Sequence, residues 1–262
     1  MSVKPIGIFD SGLGGLSVWE AIYDLMPGES VLYLADSKYA PYGGRPQSEI
    51  IQLSRKNVDY LLEHGCKIIV VACNTATTNA IDVLRQSYSV PIIGIEPAIK
   101  PAALNSKTGV VGVLATRGTL ASSLFAKTAA LYAKDRKVIE QYGDGLVELI
   151  ESGEIESKQM QALLTEYLTP MIRAGIDYLV LGCTHYSFLR SQIQAILPAG
   201  VQIIDAADAV AKQTKNILDQ RGLLSQVKSI PNFRFYTNKD LGVLESFLGS
   251  LSADKTIAKV DF

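Results

Sequence analysis

The 262-residue chain sets 25 Lys and Arg against 26 Asp and Glu, for a formal net charge of −1, and 48% of its residues are hydrophobic. That length supports one large core or two smaller ones without a disulfide or metal staple, and the balanced charge offers no field to hold a nucleic-acid backbone or an anionic membrane. Apolar runs such as Ile68 to Cys73 and Tyr178 to Cys183 fall far short of the ~20 residues that cross a bilayer, so neither nucleic acid nor membrane is expected as a partner.

The N-terminus reaches its first strand without a basic leader and apolar stretch, and three cysteines, an odd number, fit a reducing compartment. A cytoplasmic location is expected. From there, short β-branched runs alternate with helical-period stretches. Strands are predicted at Pro5–Ser11, Val31–Asp36, Lys67–Cys73, Pro91–Glu96, Gly109–Thr116, Lys137–Gly143, Asp177–Cys183, Val201–Ala207 and Asn232–Asn238. Helices are predicted at Leu16–Met26, Gln47–His64, Thr77–Tyr88, Gly118–Lys134, Ser157–Ala174 and Asp208–Gly222. Strands apolar on both faces and separated by helices read as parallel sheets covered on both sides, an α/β fold. Two echoes point to related halves. Ile6 to Ser11 resembles Val111 to Thr116, 105 residues on, and Val70 to Thr75 resembles Val180 to His185, 110 residues on. The expected organisation is two related halves packed face to face, with a boundary near Glu96-Pro97, where a proline-containing segment follows a buried strand.

Cys73 and Cys183 each stand where an apolar strand ends and helix-initiating residues begin. At that carboxyl edge of an open parallel sheet, a helix N-terminus offers N–H groups and partial positive charge, a setting that lowers a thiol's pKa. Ionising a free thiol at pH 7 costs about 2 kcal/mol, which one helix end and one donor largely offset. Taken singly, each cysteine also reads as a small apolar strand residue; their matched placement favours a paired function. Cys66 and His64 lie at the opposite edge, roughly 20 Å from Cys73, so Cys66 can share neither a disulfide nor a metal with it. The soft ligands that remain are too few for zinc, and no metal site is predicted.

The segment Asp10-Ser-Gly-Leu-Gly-Gly15 invites a dinucleotide reading, with Asp36 near the spacing of a ribose contact. The third glycine of that pattern is Ser17, and Asp10 would meet a phosphate with like charge, so an ammonium-bearing ligand suits the segment better. Tyr39 to Pro46 forms a stiff loop whose Tyr42 hydroxyl and glycine N–H groups suit a carboxylate. Thr75, Thr116, Thr119 and Thr184 offer hydroxyls and also read as helix caps, and Glu151 reads as a helix-end carboxylate.

Together, Phe9-Asp-Ser-Gly-Leu-Gly-Gly15, Ala35-Asp-Ser-Lys-Tyr-Ala-Pro-Tyr-Gly43, Ala72-Cys-Asn-Thr-Ala-Thr77 and Gly182-Cys-Thr-His-Tyr186 resemble the glutamate racemase branch of the aspartate/glutamate racemase superfamily, from about Pro5 to Ala207. The resemblance implies cofactor-independent racemisation of glutamate, supplying D-glutamate for peptidoglycan, by two pseudosymmetric α/β domains, residues 1–97 with 208–262 and residues 98–207, with the active site in the cleft between them. It implies Cys73 and Cys183 as opposed acid/base residues, Cys183 acting on L-glutamate and Cys73 on D-glutamate, assisted by Asp10 beside Cys73 and His185 beside Cys183. Asn74, Thr75 and Thr184 would hold the α-carboxylate and ammonium end, and Ser11, Tyr42 and Gly43 the side-chain carboxylate. Thr116, Thr119 and Glu151 correspond more loosely. The chain departs from the pattern at Gly143-Asp144, often Cys-Pro in the family, and at Ser187, usually proline. The family implies a homodimer, and some members carry an N-terminal extension linked to activation by a cell-wall precursor; no activator site of that kind is expected here. Alternatives are an aspartate or other amino-acid racemase, a single-thiol decarboxylase or isomerase, a non-catalytic carboxylate-binding protein and, last, a nucleotide oxidoreductase.

Two thiols make independent chemical sense. Inverting a stereocentre without a cofactor needs one base on each face of the α-carbon, oppositely protonated in any one turnover.

Overall fold

The computed structural model describes residues 4–225, 230–249 and 254–262. The chain opens with β1 (Ile6–Asp10), α1 (Leu16–Leu25), β2 (Val31–Ala35), α2 (Gln47–Glu63), β3 (Ile68–Val71), α3 (Asn74–Ser87) and β4 (Ile92–Gly94). It continues through α4 (Ile99–Asn105), β5 (Val110–Ala115), α5 (Arg117–Leu120), α6 (Ser123–Tyr132), β6 (Lys137–Tyr142), α7 (Leu146–Glu151), α8 (Lys158–Arg173) and β7 (Tyr178–Gly182). Last come α9 (Arg190–Ile196), β8 (Gln202–Ile204), α10 (Ala207–Gln220), β9 (Phe233–Thr237), α11 (Leu241–Leu248) and β10 (Lys255–Lys259).

The strands form two parallel sheets, one ordered β10-β9-β2-β1-β3-β4 and the other β6-β5-β7-β8. The second order repeats the β2-β1-β3-β4 core of the first. Register repeats as well, because Phe9 faces Val71 in one sheet and Leu114 faces Leu181 in the other, pairs related by the sequence echoes. The central strands are buried along their length, since helices cover both faces. Phe9, Leu34 and Val71 pack on the α2 and α3 side of the first sheet; Leu114 and Leu181 pack on the α7 and α8 side of the second. A third apolar cluster runs from Ile6, Ile8 and Val70 through Ile99 and Ala102 of α4 to Val111, Val113 and Val180, so the two sheets share one core where they meet. Among the described residues, no helix is long and apolar enough to cross a membrane.

Three local readings change. The helix expected over Gly118–Lys134 breaks into α5 and α6 because the Ser122 hydroxyl accepts from the Phe125 N–H at 3.2 Å and starts a second helix. The helix expected from Thr77 begins three residues earlier, at Asn74, because Cys73 itself takes the cap position. β10 was not anticipated; its Lys-Thr-Ile-Ala-Lys sequence lacks the apolar run of an inner strand because it lies at the sheet's edge.

Candidate active site

Cys73 follows β3 and Cys183 follows β7, equivalent strands of the two sheets. The Cys73 sulfur accepts from the Ala76 N–H at 3.4 Å, capping α3, and its thiol donates to the Ser11 hydroxyl at 3.5 Å. Burial pushes the Cys73 thiol up to about 12, with the Asp10 carboxylate adding to the shift and the Ser11 and Ala76 contacts opposing it. Behind Cys183 stands a relay. The Cys183 sulfur lies 3.9 Å from His185 Nδ1, and His185 Nε2 lies 2.7 Å from Glu151 Oε1, which also accepts from the Leu13 N–H at 2.6 Å. Burial alone would depress the imidazole, but its contacts with Cys183 and Glu151 and the charge of Asp10 outweigh burial and raise its pKa well above the usual histidine range. Burial likewise acts to raise the Glu151 carboxyl and is overcome by His185 and the Leu13 N–H, leaving it below its ordinary value. A cationic imidazole is thus held between a carboxylate and a thiol.

A narrow, partly open cavity brings Ser11, Tyr42, Gly43, Cys73, Asn74 and Thr75 of the first sheet's side together with Thr116, Cys183, Thr184 and His185 of the second. Pro41 and Val147 complete its wall. Pro41 lies within the Ala35–Gly43 motif visible in the sequence; an isolated valine such as Val147 carries no signal there. Asp10, Thr119 and Glu151 are not among the lining residues and stand one layer back. Asp10 is fully buried, accepting from the Gly12 N–H at 2.8 Å and the Thr184 hydroxyl at 3.0 Å, so it reaches across to the second sheet's side. The Thr75 hydroxyl lies 2.7 Å from that of Thr116 and 3.2 Å from that of Thr119, a triangle of hydroxyls spanning the cleft. Asn74 Oδ1 is buried in this wall without a hydrogen-bond partner, an acceptor suited to an ammonium group.

The glycines after β1 have a steric reason that no dinucleotide requires. A Cβ on Gly12 would lie 2.0 Å from Glu151 Oε1, and one on Gly14 would lie 2.5 Å from the His185 backbone nitrogen. The departure at Asp144 falls at the cavity's mouth. There a wider vestibule of about 450 Å³ shares Pro41, Gly43, Thr116 and Val147 with the cavity, and Arg117 Nε donates to both Asp144 oxygens at 3.0 and 3.1 Å beneath the Tyr142 ring. Ser187 turns its hydroxyl to Asp205 at 3.4 Å. Among the described residues, no group of three His, Cys, Asp or Glu is placed to hold a metal ion.

Comparison with known proteins is consistent with this architecture. The family model for Asp/Glu/hydantoin racemases matches residues 20–214. The glutamate racemase of Cupriavidus pinatubonensis is 46% identical over 255 residues, 97% of this chain and 94% of that protein. Among solved structures, a Bacillus anthracis glutamate racemase superposes with a TM-score of 0.88 at 32% identity, covering 99% of this chain and 98% of the other. Escherichia coli glutamate racemase, in complex with L-glutamate and the activator UDP-MurNAc-ala, gives 0.87 at 32% identity over 98% of each chain. The chain belongs to the Asp/Glu/hydantoin racemase family and is an amino-acid racemase. Within that family it belongs to the glutamate racemases.

Proposed function

We propose that the chain interconverts L- and D-glutamate by a two-thiol acid/base mechanism. The observation that carries this reading is the presence of Cys73 and Cys183 in the wall of one small cavity, each delivered by an equivalent strand. In the L-to-D direction the Cys183 thiolate removes the α-proton, and the protonated Cys73 thiol gives its proton to the opposite face of the carbanion. That leaves Cys183 as thiol and Cys73 as thiolate, and the reverse reaction restores the starting pair. His185 Nδ1 stands 3.9 Å from the Cys183 sulfur, which makes the first proton abstraction from L-glutamate. On the other side, Cys73 is held protonated until a proton is needed, which its raised pKa supports.

The remaining wall sorts by charge. Asn74 Oδ1 suits the substrate ammonium, the hydroxyls of Thr75 and Thr184 suit the α-carboxylate end, and Ser11 with the Tyr42–Gly43 backbone suits the far carboxylate. Thr116 closes the wall from the second side, with Thr119 behind it, while Asp10 and Glu151 position Thr184 and His185. So narrow a cavity leaves little room for mobile solvent, and fixed donors take its place in supporting the carbanion. Substrate entry then requires the two units to part, and we assign residues 1–97 with 208–262 to one and 98–207 to the other. The same reading makes the protein a cytoplasmic homodimer supplying D-glutamate for peptidoglycan. Sedimentation, cell fractionation and the rescue of a D-glutamate auxotroph test those three points.

The direct experiment incubates the purified protein with L-glutamate in D2O without added cofactor. Loss of optical rotation with deuterium at the α-carbon is expected, and no inversion refutes the proposal. Cys73→Ala and Cys183→Ala should each abolish racemisation; near-full activity in either variant rules out the two-base scheme. A parallel assay with aspartate separates glutamate from the shorter dicarboxylate.

A further inference from the structure

Asp36, which follows β2, is fully buried and has no part in the chemistry above. Its carboxylate nevertheless collects donors from three stretches of chain. The Tyr42 hydroxyl donates to it, as do Lys56 Nζ at 2.9 Å and Asn57 Nδ2 at 3.3 Å from α2, and Asn238 Nδ2 at 2.5 Å from beyond β9. The Lys56 ammonium lies over the Tyr39 ring at 4.4 Å, and Asn238 Oδ1 accepts from the Lys38 backbone N–H at 2.9 Å. Asp36 therefore anchors the loop that carries Tyr42 and Gly43 into the cavity wall.

This arrangement fixes what the loop can offer a ligand. The Tyr42 hydroxyl donates to Asp36 and accepts from Asn57 Nδ2 at 3.2 Å, so it is committed inside the protein and its backbone is left to meet a carboxylate. The position has little tolerance, because a Cβ on Gly43 would come within 2.8 Å of the Thr116 Cβ across the cleft. An unpaired buried carboxylate would be driven toward water. With four donors, one of them cationic, it becomes a rigid post.

We infer that Asp36 is a positioning residue that sets the place of the Tyr42–Gly43 backbone, and thereby the grip on the substrate's far carboxylate. It acts on binding and leaves proton transfer to the thiols. The inference rests on the glutamate reading of the site, and its test separates the two.

The test compares steady-state kinetics in both directions for wild type, Asp36→Asn, Tyr42→Phe and the double variant. Asp36→Asn should raise KM for both enantiomers about 10-fold while kcat stays within about 3-fold, the pattern of lost ground-state binding. If Asp36 works through Tyr42, the double variant's KM should fall short of the product of the two single effects. The pH profile of kcat should keep its shape. An unchanged KM in Asp36→Asn, a fall in kcat alone, or fully multiplicative effects would overturn the inference. Wild-type protein with no glutamate turnover would instead overturn the glutamate reading itself. Should Asp36→Asn fail to fold, Asn238→Ala removes one of the four donors together with the acceptor of the Lys38 N–H, and the same KM-selective rise, about 3-fold, is expected. An unchanged KM there also counts against the proposal.

Discussion

Asp10 carries a carboxyl group into a place that water does not reach. Burial raises its pKa from the ordinary 3.8 to about 6, even though the His185 charge and the Gly12 N–H pull the other way. An acid with a higher pKa in the folded than in the unfolded chain stabilises the fold while protonated. That contribution is complete below about pH 3.8 and is lost as the pH rises through about 6. The difference amounts to about 3 kcal/mol at full ionisation. Asp10→Asn should therefore gain stability relative to wild type between pH 4 and pH 7.5, by up to that amount, in urea unfolding at the two pH values. A constant difference between the two proteins would show that Asp10 is charged in the fold throughout. Asp10 also breaks the symmetry of the halves. Its counterpart by strand position is Ala115, and the counterpart of His185 is Thr75, so each thiol has a different ionisable neighbour.

At the scale of single elements, the turn between β1 and α1 shows how far a sequence can be read. Its glycines suggested a phosphate loop by pattern, and the mismatch at Ser17 and the charge of Asp10 argued that reading away. The steric reason for Gly12 and Gly14 lies in Glu151 and His185, residues far along the chain, and no local pattern records it. Gly14→Ala should cost about 1–3 kcal/mol by overpacking. It should also lower racemisation by roughly 100-fold, since displacing His185 by an ångström upsets the geometry at Cys183. Urea midpoints and initial rates with L-glutamate measure the two effects; an alanine variant with wild-type rates would mean that the approach of Gly14 to His185 is not needed in turnover. The inner strands were legible because β-branched runs buried on both faces leave a continuous apolar signature. Short helices such as α4, α7 and α9 were not, because two turns hold too few residues to express a period. Within the candidate site, residues in strand-end motifs stood out. The anchoring role of Asp36 did not, because its partners Lys56, Asn57 and Asn238 come together only in the folded chain.

Across the whole molecule, the edge of the six-stranded sheet opposite the thiols is tied by a buried ion pair. Lys67 Nζ donates to Glu29 Oε2 at 2.6 Å and to the Leu223 carbonyl at 2.8 Å, while Glu29 Oε1 accepts from the Ser225 N–H at 2.7 Å. Breaking one partner strands the other charge in the interior, so Glu29→Gln should lose about 3–5 kcal/mol of stability in chemical unfolding. The double variant Glu29→Gln/Lys67→Met should lose less than the sum of the two single changes; strict additivity would show that the pair is not coupled. The same knot fastens the segment after α10 onto the sheet, on the chain's return from the four-stranded sheet. That return has a consequence for how the protein can be divided. The polypeptide passes between the sheets twice, once after β4 and once after β8, so the strands of the four-stranded sheet interrupt the run of those that form the six-stranded one. A gene split once between β4 and β5 would leave β9 and β10 on the wrong fragment and strip the cover from the edge of β2, an open template for strand addition.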